Sequence, residues 1–387
     1  MSAQGILIAG GYGVVGRRIA AELAPEYRDQ VIVAGRNLDR ANTTATAIGH
    51  GVCGRVVDVN VPSSIAAALD NVAVVVSCVD QTGRHLLHAA IERGLRYTDI
   101  TPHLTELGRG AGYEKIDAAA RISGARVVLG TGIVPGIANV MVRAVAETLG
   151  GAEAIETSLL LYASDVTGPA SFDYFLQELS MSFVLHVDGA DRQARAFSDP
   201  RLIEFPPPVG ARPAYLFPFS DQVLYPRTMG ARTALTRLAI EPAGLAKFLA
   251  MLVRTGAASL IAREPVRRVI ARRRKDRAPR ADTLFALRVD VTNHGQSSHA
   301  TLLGHAQADA AAAGAAGVAR SLIEDEVAEP GAWMPEQVVD PGRFFSRLAA
   351  RGLNVELAPM ALRPGCNRRV DVHAGDDAAR ISDASAL

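Results

Sequence analysis

Residues 5–16 read GILIAGGYGVVG, and this stretch decides how the rest of the chain is organised. Its apolar run, residues 6–8, is typical of a central parallel strand that is buried on both faces. Three glycines follow at Gly11, Gly13 and Gly16, and a helical pattern of apolar residues begins after them. A strand, a G-x-G-x-x-G turn and a helix in this order predict a dinucleotide-binding site.

Each glycine of this turn has a different physical task. Gly11 lets the backbone turn tightly out of the strand, Gly13 lets a pyrophosphate approach the backbone, and Gly16 lets the helix pack closely on the strand. The helix N-terminus offers unpaired N–H groups and a positive dipole end to the phosphates. The predicted phosphate-binding residues are Gly11, Tyr12, Gly13, Val14, Val15 and Gly16.

Composition places the chain among ordinary globular proteins. Its 387 residues are 49% hydrophobic and 21% charged, which is enough for two domains with a sizeable core. The formal net charge of +1 gives no global field that favours nucleic acid. The three cysteines, Cys53, Cys78 and Cys366, are far apart and form no CxxC pattern. We therefore expect neither a disulfide framework nor a metal site, and a reducing cytoplasm fits best.

Membrane insertion and secretion are not expected from this sequence. The most apolar later stretch, residues 244–262, contains two basic residues, so we predict no membrane span. A strand pattern begins almost at the first residue, which leaves no room for a signal peptide.

Strand and helix patterns alternate through the first third of the chain. After the first strand, further strands are predicted at residues 31–34, 55–59, 72–79, 96–100 and 126–129. Parallel strands need long crossover connections, so this alternation predicts an α/β fold with a doubly wound parallel sheet of Rossmann type. Ligands of such sheets bind beyond the carboxyl ends of the strands.

The pattern changes after about residue 150 and predicts a second, α+β domain. Strands are expected at residues 154–163, 236–240, 284–293 and 299–306, the last two as an antiparallel pair with a turn near Gly295. Helices are expected at residues 170–185, 243–274 with a break at Pro265, and 309–327. The proline-rich stretch at residues 199–219 predicts a loop with little regular structure.

These patterns divide the chain into four segments. The dinucleotide-binding Rossmann domain covers residues 1–135, and the α+β domain covers residues 136–327. Residues 328–357 form a C-terminal segment that we expect to pack on the Rossmann domain. Residues 358–387 are rich in Arg, Asp, Ala and Gly without periodicity, which predicts a disordered tail.

Several of these segments together resemble the saccharopine dehydrogenase family of NAD(P)-binding oxidoreductases. The residues that carry the resemblance are GGYGVVGRRIAAEL at 10–23, VIVAGRN at 31–37, VVSCVDQTGRHLLHAAIERGLRYTDIT at 75–101, GIVPGIAN at 132–139 and GAWMPEQVVDPGRFFSRLAARGLNV at 331–355. The resemblance implies a Rossmann domain, a substrate and dimerisation domain, and hydride transfer with NAD or NADP. It is weak over residues 158–303, where substrate would be chosen, so it does not fix the substrate.

The residues after the second strand distinguish NADP from NAD. An NAD site usually has a carboxylate there, whereas this chain has Gly35, Arg36 and Asn37. A carboxylate would repel a 2′-phosphate, while the Arg36 guanidinium can form two hydrogen bonds with it and stack on adenine. Arg40 lies one turn into the helix and can assist. We predict NADP rather than NAD, against the alternative that Arg36 is merely exposed at a helix start.

Further cofactor residues are predicted after the third and fourth strands. In similar proteins the position of Asp58, together with Val59, lines the adenine pocket; alternatively Asp58 caps a turn. Ser77, Cys78 and Val79 end the fourth strand, where the ribose on the nicotinamide side normally lies. We interpret Cys78 as a small apolar residue beside the cofactor rather than as a nucleophile.

Asp99 and His103 are the candidate catalytic residues. Asp99 ends the fifth strand, where a carboxylate can orient the nicotinamide carboxamide or accept a substrate proton. His103 can act as a general acid near neutral pH, although a loop histidine in solvent is the stronger competing interpretation. Gly132 follows the sixth strand, in a loop that can touch the nicotinamide amide, form a domain hinge, or do both.

The sequence therefore predicts a cytoplasmic, homodimeric NADP-dependent oxidoreductase. It would transfer hydride between NADPH and a C=N or C=O carbon of a small-molecule substrate. Two alternatives remain open: a non-catalytic NADP-binding sensor, and a non-redox isomerase or cyclase that retains NADP. The basic run Arg267 to Arg280 is interpreted as a solvated helix face, with an anionic partner as its alternative.

Overall fold

A computed structural model describes residues 4–79, 83–100, 112–163, 175–176, 178–179, 181–261, 264, 266 and 283–362. The strands are β1 Gly5–Ala9, β2 Val31–Gly35, β3 Cys53–Val56, β4 Val72–Ser77, β5 Arg96–Asp99, β6 Arg126–Val128, β7 Ala154–Tyr162, β8 Ser182–Val187, β9 Ala190–Arg195, β10 Arg201–Phe205, β11 Gly210–Leu216, β12 Thr233–Glu241, β13 Leu284–Asn293, β14 Gln296–His305, β15 Gly331–Trp333, β16 Val355–Leu357 and β17 Ala361–Leu362. The helices are α1 Gly16–Leu23, α2 Leu38–Ile48, α3 Pro62–Ala68, α4 His85–Glu92, α5 Gly112–Ser123, α6 Ile137–Leu149, α7 Asp221–Thr228, α8 Ala243–Arg254, α9 Ala258–Ile261, α10 Gln307–Ile323, α11 Pro335–Val338 and α12 Pro341–Ala349.

The first sheet is parallel throughout and has the strand order β15-β6-β5-β4-β1-β2-β3. Successive residues of β1 point to opposite faces of this sheet. Ile6 and Ile8 pack on one face, against α1 and the alanine-rich α10. Leu7 packs on the other face, in a core shared with α3, α4 and α5. Both faces are therefore covered, which confirms the predicted doubly wound fold.

The second sheet is mixed and has the order β10-β11-β12-β7-β13-β14-β16 along its main path. β7 and β12 run parallel, while β7 with β13 and β13 with β14 run antiparallel. The turn between β13 and β14 joins Asn293 to Gln296, as the sequence predicts. One face of this sheet packs against α6, in a core that contains Val140, Leu159 and Leu287.

Four expectations about secondary structure are wrong. The helix predicted at residues 170–185 is replaced at its end by β8, because Phe183, Leu185 and Val187 are buried at every second position, the period of a strand. The loop predicted at residues 199–219 contains the antiparallel pair β10–β11. Three of its prolines, Pro206, Pro207 and Pro208, occupy the turn, and a fourth, Pro213, lies within β11.

The other two errors concern element ends. The helix predicted at residues 243–274 ends at Arg254, because Gly256 adopts a φ of +75° in the left-handed region, and not at Pro265. The third strand covers Cys53–Val56 rather than residues 55–59. The basic run Arg267 to Arg280 lies outside the described residues.

The C-terminal segment contacts both sheets. β15 extends the first sheet beside β6, whereas β16 and β17 pair with β14 of the second sheet. β17 falls inside the predicted tail at residues 358–387, of which residues 363–387 lie outside the described part of the chain. Over the ranges given above, no helix is both long and apolar enough to cross a membrane.

Candidate functional site

The glycine loop joins β1 to α1 at the carboxyl edge of the first sheet. The N–H groups of Gly10 and Gly11 both donate to the Ala34 carbonyl oxygen, at 2.9 and 3.0 Å, which ties the loop to β2. A Cβ on Gly16 would lie 2.4 Å from the Gly10 carbonyl oxygen. α1 can therefore begin this close to the strand only because residue 16 lacks a side chain.

The outer side of the same loop fits a pyrophosphate. Among the described residues other than its chain neighbours, a Cβ on Gly13 would meet one atom within 4 Å, the Gly10 carbonyl oxygen at 3.0 Å, so this part of the chain leaves open space beyond Gly13. Among the described residues, the N–H groups of Val14 and Val15 donate to no backbone acceptor. Unpaired N–H groups beside open space at a helix start are what a phosphate requires.

Tyr12 connects this loop to the end of β2. Its ring lies so close to Gly35 that a Cβ there would sit 2.4 Å from a ring carbon. Its hydroxyl accepts a hydrogen bond from the Asn37 N–H at 3.3 Å. The Arg40 guanidinium carbon lies 4.5 Å from the ring centre, within range of a cation–π interaction. Tyr12 thus holds Arg40 beside the place where a 2′-phosphate is expected.

Arg36 and Asn37 differ in what they do locally. Asn37 is the N-cap of α2, and its side-chain oxygen accepts from the Arg40 N–H at 2.9 Å. Arg36 is exposed, and within the described chain it forms no ion pair. The guanidinium of Arg36 is therefore available for an anionic ligand.

Asp58 and Val59 follow β3. The Asp58 N–H donates to the Ser64 hydroxyl at 2.9 Å, and the Asp58 carboxylate accepts from the Asn60 N–H at 3.0 Å. These bonds form a turn before α3. Val59 packs on the core below that turn. Asp58 therefore shapes this turn, and its contact with adenine stays a prediction.

Ser77, Cys78 and Val79 lie directly against the glycine loop. The Cys78 N–H donates to the Ala9 carbonyl oxygen at 2.9 Å. A Cβ on Gly10 would lie 2.7 Å from a Val79 methyl carbon, so the two loops are in contact. Burial, assisted by the negative charge of Asp99, raises the pKa of the Cys78 thiol to about 12. The thiol stays protonated at neutral pH, which disfavours Cys78 as a nucleophile.

Asp99 is buried at the end of β5 and fastens the loop that follows β6. Its carboxylate accepts from the Gly130 N–H at 3.0 Å and from the Tyr97 hydroxyl at 3.4 Å. Its carbonyl oxygen accepts from the Thr131 N–H at 2.8 Å. Its catalytic role stays a prediction, as does that of His103, which lies outside the described residues.

Gly132 opens a tight loop that Gly136 closes. The two residues form a β-bridge, and the Gly132 carbonyl oxygen accepts from the Ile137 N–H at 3.1 Å. Gly136 has a φ of +132°, and a Cβ there would lie 2.1 Å from the Gly132 carbonyl oxygen. The loop therefore presents bare backbone at the carboxyl edge of the sheet.

A cluster of buried acidic and phenolic groups behind this loop was missed by the sequence analysis. Burial raises the pKa of Asp221 to about 7, while its carboxylate accepts from the Thr236 hydroxyl at 3.1 Å. Burial also raises the pKa values of Tyr225 and Glu336. Glu336 is in the segment GAWMPEQ, where its position after Pro335 at a helix start gave the only sequence signal.

The fold and the glycine loop define a dinucleotide-binding protein of the Rossmann type. Residues 6–123 match the family model described as the saccharopine dehydrogenase NADP binding domain. The resemblance to the saccharopine dehydrogenase family is confirmed by this match, and the nucleotide domain is of the NADP-binding kind. A search of curated proteins found no match.

Two solved structures of dehydrogenases align with most of this chain. Apo saccharopine dehydrogenase (L-Glu forming) from Saccharomyces cerevisiae aligns over 92% of this chain and 100% of its own, with a TM-score of 0.67 and 14% identity. DAP dehydrogenase of C. glutamicum aligns over 91% of this chain and 99% of its own, with a TM-score of 0.43 and 15% identity. The likeness to the yeast structure establishes the fold and, at 14% identity, leaves the substrate open.

Proposed function

We propose that this protein is an NADP-dependent oxidoreductase that transfers hydride between NADPH and a C=N or C=O carbon of a small molecule. The observation that carries the proposal is the arrangement at the ends of β1 and β2. An open phosphate cradle at Gly13 lies beside Tyr12, Arg36 and Arg40, and residues 35–37 contain no carboxylate that would repel a 2′-phosphate.

The chain's own groups have defined tasks in this proposal. The N–H groups of Val14 and Val15 bind the pyrophosphate, and Arg36 with Arg40 bind the 2′-phosphate. The buried carboxylate of Asp99 holds the Gly130 loop in place, and this loop closes the carboxyl edge against water. The nicotinamide, when bound, supplies the hydride chemistry.

The proton that accompanies hydride transfer needs a donor at the same edge. Asp99 and His103 are the proposed candidates. Asp99 already accepts hydrogen bonds through both carboxylate oxygens, from the Gly130 N–H and the Tyr97 hydroxyl. We therefore place Asp99 as an orienting group for the carboxamide first and as the proton-transfer group second, donating in the reduction and accepting in the reverse oxidation.

The substrate is proposed to lie between the nucleotide edge and the second sheet. An imine formed from an amine and a keto acid is the class that we favour, because the saccharopine dehydrogenase of matching fold forms L-Glu, as its name states. We also propose that the protein is cytoplasmic and homodimeric. Both cysteines in the described ranges, Cys53 and Cys78, are free thiols, as a reducing compartment requires.

Nucleotide binding tests the proposal first. Calorimetric titration with NADPH and NADH should give tight binding of NADPH and clearly weaker binding of NADH. Arg36→Ala should reduce NADPH affinity about tenfold and NADH affinity much less, because only NADPH carries the 2′-phosphate. Equal losses for both nucleotides would remove the role given to Arg36.

A substrate screen then separates the oxidoreductase from its alternatives. Amines paired with keto acids, and carbonyl compounds alone, are offered while NADPH absorbance is followed. Oxidation of NADPH with matching product supports the oxidoreductase. Product without net NADPH consumption indicates an isomerase or cyclase, and binding without any turnover indicates a sensor. Light scattering on the same sample gives the oligomeric state.

A further inference from the structure

Glu336 is a buried carboxylate at the point where three helices meet. It is the second residue of α11 and is only 3% exposed. The Thr228 hydroxyl, at the end of α7, donates to its Oε1 atom at 2.6 Å. The Asn139 side-chain amide, in the first turn of α6, donates to its Oε2 atom at 2.8 Å. Both carboxylate oxygens are therefore used, and each partner belongs to a different helix.

Asn139 connects the Glu336 carboxylate to the backbone of the 132–136 loop. Its side-chain oxygen accepts from the Gly136 N–H at 2.8 Å, and the residue is fully buried. An amide that donates to Glu336 and accepts from Gly136 has only one satisfied orientation. Glu336 therefore sets which way the Asn139 amide faces, and so fixes the N–H that closes the loop.

The loop has little freedom to adopt a second position. A Cβ on Gly314 of α10 would lie 2.8 Å from the Gly132 carbonyl oxygen, so α10 packs directly on the loop. On the side of the first sheet, the loop is held by the hydrogen bond from Gly130 to Asp99. The Glu336–Asn139 pair is the matching restraint on the side of the second sheet.

We propose that Glu336 is a positioning residue that, through Asn139, fixes the 132–136 backbone for the nicotinamide half of NADP. This inference rests on the proposed function, since it assumes that NADP lies along the carboxyl edge of the first sheet. The phosphate-binding loop is at the ends of β1 and β2. The 132–136 loop follows β6, and the strands β4 and β5 lie between β6 and β1 in the sheet. Glu336 should thus affect the nicotinamide half and leave the adenosine half unchanged.

Substitutions that transfer the negative charge from residue 336 to residue 139 test this Glu336–Asn139 connection. Asn139→Asp replaces the amide donor that faces Glu336 with a second carboxylate oxygen. Adding Glu336→Gln restores every bond, because the introduced glutamine amide donates to the introduced carboxylate and the glutamine oxygen accepts from Thr228. Glu336→Gln alone should be tolerated, because the Thr228 hydroxyl has a second acceptor, the Leu224 carbonyl oxygen at 3.3 Å.

The probes are 2′,5′-ADP, which has only the adenosine half, and NADP⁺, each titrated by calorimetry into the full-length chain. The readout is the dissociation constant of 2′,5′-ADP divided by that of NADP⁺, a ratio that reports the nicotinamide half. We expect Asn139→Asp to lower this ratio about tenfold with unchanged 2′,5′-ADP affinity. The double variant and Glu336→Gln should both stay within about threefold of the wild type.

Two outcomes would overturn the inference: an unchanged ratio in Asn139→Asp, which includes an equal loss for both probes, or no recovery in the double variant. If Asn139→Asp does not fold, Thr228→Val serves instead, since it removes only the hydroxyl donor, and an unchanged ratio there counts against the Glu336–Asn139 connection. Wild-type protein that binds neither probe contradicts the proposed function itself. Wild-type protein that binds both equally contradicts only the role of this loop.

Discussion

The Arg40 guanidinium carbon lies 4.5 Å from the centre of the Tyr12 ring, which joins the glycine loop to the first turn of α2. The same ring leaves no room for a side chain at residue 35, and its hydroxyl accepts from the Asn37 N–H. A residue inside the phosphate loop therefore orients a cation that belongs to the next βα unit. Because of this contact, the preference for NADP over NAD depends on both the glycine loop and the loop between β2 and α2.

Arg40→Ala should weaken NADPH binding about tenfold and leave NADH binding nearly unchanged, because one charge-assisted contact to the 2′-phosphate is lost. Tyr12→Leu should weaken NADPH binding about threefold, since the cation–π interaction that orients Arg40 disappears. Calorimetric titration with both nucleotides measures the two effects.

Tyr12→Phe is the matched control for the ring. It removes the hydroxyl that bonds the Asn37 N–H but retains the aromatic face beneath Arg40. Its NADPH affinity should stay within about twofold of the wild type. A loss in Tyr12→Phe as large as that in Tyr12→Leu would show that the hydroxyl, and not the ring, is what matters.

Gly13→Ala and Gly16→Ala should separate binding from stability. Among the described residues beyond its chain neighbours, a Cβ on Gly13 meets one atom, at 3.0 Å, so the fold should tolerate it. The methyl group would occupy the phosphate position, and NADPH affinity should fall by roughly a hundredfold. A Cβ on Gly16 meets backbone at 2.4 Å and should destabilise the protein by roughly 1–3 kcal/mol.

Urea denaturation and calorimetry on the same two variants check this contrast. Normal NADPH binding by a folded Gly13→Ala protein would contradict the location of the phosphate site. An unchanged denaturation midpoint in Gly16→Ala would contradict the close contact between α1 and β1.

Asp221 should make the protein less stable as the pH rises. Its folded-state pKa is raised from 3.8 to about 7, mainly by burial and further by Glu336, while the Thr236 hydroxyl and nearby backbone N–H groups act in the opposite direction. The stability that the neutral carboxyl provides is complete below pH about 4 and is lost as the pH rises to about 7. The loss amounts to roughly 4 kcal/mol at most.

Asp221→Asn removes this titration while retaining an acceptor for Thr236. The free energy of unfolding, measured in urea between pH 4.5 and pH 8.5, should therefore fall less with pH in the variant than in the wild type. Asp188→Asn, at an exposed turn position, is the control and should follow the wild type. Parallel curves for Asp221→Asn and the wild type would show that Asp221 does not titrate in this range.

Cys78 should react slowly with thiol reagents. Because burial raises its pKa to about 12, the thiol is almost entirely protonated at pH 8. In a Cys53→Ser/Cys366→Ser protein, alkylation by N-ethylmaleimide should be at least about a hundredfold slower than that of the exposed Cys53 in a Cys78→Ser/Cys366→Ser protein. Comparable rates for the two thiols would contradict the protonated state of Cys78.

The first sheet could be predicted from sequence because its information is local. The glycine loop and the apolar runs of the predicted strands each fall within one βα unit. The cofactor class also followed from adjacent residues, Gly35 to Asn37. Tyr12 was named as a loop residue, but its contact with Arg40 depends on how two units pack.

The second sheet and the buried acids depend on contacts between distant segments. Phe183, Leu185 and Val187 have strand periodicity. The residues before them have the composition of a helix, so the sequence predicted one helix over residues 170–185. Asp221 and Glu336 are ordinary acidic residues in the sequence. Only the fold brings α7, α6 and α11 together, and burial then changes their chemistry. No local pattern of residues carries that information.

The pairing of β15 with β6 has a consequence for synthesis of the chain. Residues 129–330 separate these two strands, so the seven-stranded sheet reaches full width only after Trp333 has left the ribosome. Until then, the edge of β6 is open to other strands. A nascent coenzyme domain therefore stays incomplete until residue 333 has been synthesised, and a fragment that stops at residue 135 would expose an edge prone to aggregation.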